Sequence, residues 1–165
     1  MDNSPKRERT FSWDDPLQSA KKAAHLAGSD FLQAITEGAI PTPPIMHALD
    51  IKIGTLAKGQ VTFTFLPQEF HYNPIGTVHG GVITTILDSA MGCSLHTLLP
   101  AGTVYTTLEI KVNFIKAITI KSGELTATGK VLHNGSRTAL TDAQLTGADG
   151  TVYAHATSTC LVMKL

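Results

Sequence analysis

The stretch from Val78 to about Leu99 limits the folding options of this chain more than any other. Val82, Ile83, Ile86, Leu87, Ala90, Met91, Leu95 and Leu98 cover much of a helical circumference. That spacing predicts one long helix with little solvent-facing surface, closed by Pro100-Ala101-Gly102. Nearly everything else beyond residue 45 alternates with a period of two. A buried helix among strands has to be enclosed by them.

The strand pattern is well punctuated. Leu49, Ile51 and Ile53 alternate with Asp50 and Lys52, and a Lys58-Gly59 turn leads to Val61, Phe63 and Phe65. Past the helix come Leu108, Ile110, Val112 and Phe114, then Leu125, Ala127, Gly129 and Val131. Ala139, Thr141, Ala143 and Leu145 follow, and Val152 to Met163 closes the pattern with Ala154, Ala156 and Ser158 on one face. Asn134-Gly135 and Asp149-Gly150 read as type I′ hairpin turns, which need positive φ at both central residues. The order predicts an α+β fold, a curved antiparallel sheet wrapped around one long central helix. Its strand edges, alternating Thr with apolar residues, invite pairing with a second copy and predict at least a dimer.

Upstream, residues 17–40 read as a helical segment. Leu26, Phe31, Leu32 and Ile35 lie near one face, Gly28 interrupts the run, and Pro41, Pro43 and Pro44 end it. Residues 1–16 read as a flexible extension with Phe11 and Trp13 as docking anchors, which leaves a single domain over 17–165 with its core at 45–163.

With 13 basic and 13 acidic side chains, no global field favours nucleic acid or an acidic membrane. The N-terminus is charged and polar without a following apolar region, and apolar runs break before bilayer length, so the expectation is a cytoplasmic protein. Cys93 and Cys160 read as buried free thiols of a reducing compartment. His25, His47, His96, His133 and His155 show no metal-ligand spacing, and no metal or other cofactor is expected. Ser89 lacks the Gly-x-Ser-x-Gly elbow of a serine hydrolase.

One constellation carries chemistry. Asn73 precedes His79-Gly80-Gly81, a polar, glycine-rich loop that runs into the long helix, and Asp88 stands alone more than two turns inside that helix. A carboxylate in an apolar segment is costly unless paired, solvated or used. Loop and Asp read as two halves of one site.

The string Asn73-x5-His79-Gly80-Gly81-x6-Asp88 resembles the hotdog-fold acyl-CoA thioesterases of the PaaI-like, phenylacetate-degradation type. The similarity extends over residues 45–163 and includes the strand Thr106-Thr107-Leu108-Glu109-Ile110-Lys111-Val112-Asn113-Phe114. It implies hydrolysis of an aryl- or medium-chain acyl-CoA to free acid and CoA. Such a reaction needs donors for the developing oxyanion, as helix N-terminal N–H groups supply, and a base or nucleophile. By resemblance, Gly80 N–H is the oxyanion donor, Asn73 positions the thioester or the water, and His79 orients the loop or substrate. Asp88 is the catalytic carboxylate, acting on water or attacking directly, and Thr107 or its neighbour Thr106 positions the water. Gly81 lets the substrate approach, and Gly135, Ser136 and Arg137 match a turn that contacts the CoA nucleotide or phosphates. The resemblance also implies a homodimer or homotetramer whose site joins Asn73, His79 and Gly80 of one subunit to Asp88 and the Thr of another. The chain departs from relatives after Phe114, where Ile115-Lys116-Ala117 stands in place of Arg-Pro.

Two alternatives stay open at this level. A noncatalytic acyl-CoA-binding hotdog protein would hold the thioester without releasing thiol. A hotdog hydratase or dehydratase would pair an acid with a His on a β-hydroxyacyl group, which the His-Gly-Gly loop fits less well.

Overall fold

A computed structural model describes residues 6–165. The long helix α4 (Gly80–His96) is the element around which the others are arranged. Ile86, Leu87, Ala90, Met91 and Leu95 are completely buried along it, and each of the larger ones contributes about 2 kcal/mol by leaving water. Its opposite side, with Gly81, Thr84, Thr85, Asp88 and Ser89, is only partly covered.

Six antiparallel strands surround α4: β1 (Ile51–Ala57), β2 (Gln60–Phe65), β3 (Thr103–Phe114), β4 (Leu125–Asn134), β5 (Thr138–Gly147) and β6 (Val152–Lys164). They form one sheet in the order β1-β2-β4-β5-β6-β3. The helix touches every strand from β2 to β3 across that order, which a sheet can allow only by curving around it. Gly129 on β4 makes the approach close, since a Cβ there would stand 2.2 Å from the carbonyl oxygen of Ala90. This is the hotdog arrangement of sheet and central helix.

The N-terminal segment forms α1 (Pro16–Ala23) and α2 (Gly28–Thr36), divided at Gly28 as its sequence indicated. Two features differ from expectation here. The prolines do not end the helix, since α2 stops at Thr36 and Gly38 turns the chain with φ 77°. Instead Pro44 begins another, α3 (Pro44–Leu49), because proline's fixed φ and missing N–H suit the first helical turn. Leu49 therefore belongs to a helix, and β1 starts only after Asp50 turns the chain with φ 51°. Residues 6–15, expected as a flexible extension, lie against the body. Arg9 donates to the carbonyls of His47 and Ala48 and stacks over Phe70, while Arg7 pairs with Glu69. Phe11 and Trp13 remain largely exposed, tilted against each other at 5.5 Å.

Neither hairpin turn is type I′. Asn134 and Gly135 both lack positive φ, and at the second turn only Gly150 has it. The connections are longer: Gly135 N–H donates to Thr138 O, and Asp149 folds its carboxylate back onto the N–H and hydroxyl of Thr151.

Strand β3 departs from simple alternation. Its pairing with β6 slips between Thr107 and Glu109, leaving Leu108 as an extra residue 57% exposed. A bulge of this kind reverses the side-chain parity. Tyr105 and Thr107 therefore face α4 before it, and Ile110, Val112 and Phe114 face the same way after it. β3 is also an edge strand, with its outer side unpaired.

Candidate active site

The first half of the site is built from backbone. Asn73 spends its side chain inside its own loop: Oδ1 accepts from the N–H groups of Ile75 and Thr77, and Nδ2 donates to Thr77 Oγ1 at 2.9 Å. Its backbone adds a further bond from N–H to Thr77 O. Val78 N–H donates to Ile118 O and His79 N–H to His71 O, which ties the end of the loop to two separate segments. His71 beneath it is 2% exposed, accepts at Nδ1 from Gln68 N–H and meets Leu49 O through Nε2. Burial lowers its pKa, so this histidine is a neutral strut and plays a structural part.

His79 caps α4. Its Nδ1 accepts the N–H of Gly81 at 2.9 Å, which leaves the proton of the neutral ring on Nε2. Val82 and Ile83 donate to the His79 carbonyl. Among the described residues, Gly80 N–H donates to nothing, and so the first turn of α4 presents one free donor at its positive end. The Gly81 N–H, by contrast, is occupied by the cap. A side chain at Gly80 would be tight: a Cβ would lie 3.1 Å from the Phe114 ring, which would have to shift. Thr84, a residue that sequence reasoning passed over, holds the Gly80 carbonyl with its hydroxyl at 2.9 Å. Phe114 was read only as a strand residue, and nothing in its period-two pattern signals that it lies over the glycine.

The second half is built from side chains. Asp88, half-buried on α4, accepts a hydrogen bond from Thr107 Oγ1 at 2.9 Å. The β3 bulge aims Thr107 at the helix, whereas Thr106 is exposed and makes no bond to Asp88. Cys93, close by on α4, carries a thiol pushed up to about 12, first by burial and then by the Asp88 charge. It is a protonated wall at neutral pH and no nucleophile. Both cysteines are free thiols.

The loop Gly135-Ser136-Arg137 lies two strands from Thr106. Leu161 of β6 pairs with Thr138 on one side and Thr106 on the other, a lateral distance of about 10 Å. Gly80 and Asp88 are also separate. Eight residues of α-helix place them about 12 Å apart along the axis. A reacting carbonyl needs its donor and its base each within about 3 Å. One chain therefore carries both groups without bringing them together. Among the described residues no three His, Cys, Asp or Glu side chains converge as a metal site, and no helix is long and apolar enough to cross a membrane.

Comparison with known proteins follows this geometry. Residues 75–154, which contain the His-Gly-Gly turn, Asp88 and Thr107, match the family model described as the thioesterase superfamily. A protein of Saccharolobus solfataricus, provisionally named an esterase, is 29% identical over 135 residues, 82% of this chain and 94% of its own length. Among solved structures, a thioesterase family protein from Silicibacter pomeroyi superposes with TM-score 0.72 at 24% identity, covering 81% of this chain and 98% of that one. A Streptococcus mutans protein solved with acetyl-CoA bound superposes with TM-score 0.63 at 27% identity, over 69% of this chain and 89% of that one.

Proposed function

We propose that the chain, whose residues 75–154 match the thioesterase superfamily model, hydrolyses an aryl- or medium-chain acyl-CoA to free acid and CoA. The observation that carries this reading is the free N–H of Gly80 at the start of α4, matched by a carboxylate held ready by Thr107. The donor receives the thioester oxygen as negative charge develops on it, with the helix N-terminus adding its own positive potential. Asp88 acts on the carbonyl carbon, as general base toward water or as direct nucleophile. Thr107 fixes the carboxylate through Oδ1 and leaves Oδ2 for the reaction. Asn73 and His79 contribute by shaping the turn that exposes Gly80.

The two halves meet, in this reading, across a homodimer or a dimer of dimers. The free edge of β3 supports it. Two β3 edges paired antiparallel about Ile110 and Lys111 would set Thr107 of one copy opposite Phe114 of the other. Phe114 lies on Gly80, so each Asp88–Thr107 pair would face a partner's loop. The Gly135-Ser136-Arg137 turn offers the N–H groups of Ser136 and Arg137 and one cation to the CoA phosphates.

Subunit mixing tests this directly. Asp88→Asn and Gly80→Val should each be inactive in a thiol-release assay. Randomly mixed dimers of the two should recover about one quarter of wild-type activity, because half the dimers are mixed and each mixed dimer has one intact site. No recovery from verified mixed dimers would refute a site shared between subunits.

A further inference from the structure

Resting on the thioesterase reading, we infer that the acyl group of the substrate occupies an apolar cavity beneath the N-terminal helices, where Phe31 and Ala23 determine which acyl groups fit. The cavity measures about 460 Å³ and lies between α2 and α3 on one side and α4 with the start of β3 on the other. Leu32, Phe63 and Met46 form its floor and are buried in the core. Thr107 and Cys93 are among the residues that line it. Thr107 is the residue bonded to Asp88, so the cavity wall reaches the carboxylate that acts on the thioester carbon. An acyl chain leaving that point meets hydrocarbon, and the Cys93 thiol in its path is uncharged.

Two other clefts are of similar or larger volume, about 450 and 620 Å³, but neither reaches Thr107 or the loop. One is lined by Arg9, Asp50 and Lys52, the other by Asp30 and Lys58, so both present charge where an acyl chain needs apolar walls.

The ceiling of the cavity lies outside the stretch matched by the family model: Ala23, Phe31 and Ile35 come from α1 and α2. Phe31 is half-buried, its ring 5.5 Å from that of His96, and it closes the cavity from above. Ala23 leaves space that a larger residue would fill. The N-terminal segment thus acts as the gauge of acyl size, while the superfamily core supplies the chemistry.

The test is kcat/KM for straight-chain acyl-CoAs of increasing length, measured on wild type, Phe31→Ala and Ala23→Phe. For the wild type, kcat/KM should rise roughly fourfold per methylene until the cavity is full and then fall. Phe31→Ala should move that break to longer chains and Ala23→Phe to shorter ones, with acetyl-CoA turnover within about threefold of wild type in both. Thermal melting identifies a variant that fails to fold; the other then decides. An active wild type whose folded variants keep its chain-length profile overturns this inference and leaves the thioesterase reading intact. A wild type that releases no thiol from any acyl-CoA overturns the thioesterase reading itself.

Discussion

The two halves of the site differ in the material they are made of. At the start of α4 the working group is a backbone N–H, presented by a loop in which the Asn73, Thr77 and His79 side chains hold its shape. Two turns further on, the working group is a carboxylate whose position depends on one hydroxyl from an edge strand. A backbone device tolerates changes in side-chain chemistry but not added bulk. A side-chain device tolerates small changes in packing but not the loss of one atom. The same helix carries both, so substitutions along it should fall into two kinetic classes.

The largest effect should come from Asp88→Asn, which keeps the shape and removes the charge. A general base or nucleophile lost in this way should lower kcat by about 10³-fold or more, with little change in melting temperature. Equal losses of activity and stability would mean that Asp88 is a structural residue. Gly80→Ala should come next, at about 10²-fold in kcat, since the new Cβ meets the Phe114 ring and crowds the turn that presents the N–H. The Phe114 ring is half-exposed and can yield, so the fold should survive. Thr107→Val should be milder. Losing one hydrogen bond to a charged group corresponds to roughly ten- to a hundredfold. The loss should appear in kcat, with KM unchanged, because Thr107 acts through Asp88. A KM effect alone would move Thr107 from positioning the carboxylate to binding substrate.

Much of this comparison could be read from the sequence, and the failures have physical causes. The apolar circumference of 82–98 and the period-two runs around it determine a helix enclosed by a sheet. Burial on both sides leaves few other solutions. The lone Asp88 was legible because a charge in an apolar segment demands a reason. What stayed hidden depends on tertiary geometry. The bulge at Leu108 has no local signal, yet it decides that Thr107 and not Thr106 meets Asp88. Pro44 reads as a helix breaker, although its position also permits a helix start. Asn73 reads as a group aimed at substrate, when its amide is already used by three partners in its own turn.

The smallest expected effect distinguishes the halves by acidity. His71 supports the loop half through its carbonyl bond to His79 N–H, and it accepts at Nδ1 from Gln68. Burial lowers its pKa from 6.5 in the folded chain, with the nearby Arg9 charge acting in the same direction and the Leu49 carbonyl and Asp50 opposing. The unfolded chain therefore binds a proton more readily than the folded one, and stability rises with pH across this range. The contribution is complete above pH 6.5 and is lost as pH falls from there toward the lowered folded value. His96 on α4, also lowered by burial, adds to the same slope. Unfolding free energy measured at pH 7.5 and 5.5 should drop for the wild type, and drop less for His71→Gln, in which only His96 remains. Hydrogen exchange should show where the loss begins. Amides of residues 72–81 should open at pH 5.5 before those around Asp88 and Thr107, because protonating His71 turns the Nδ1 acceptor into a donor facing the Gln68 N–H. Simultaneous opening of both regions would mean that the loop and the carboxylate are one cooperative unit, and the contrast between them would then hold for chemistry alone.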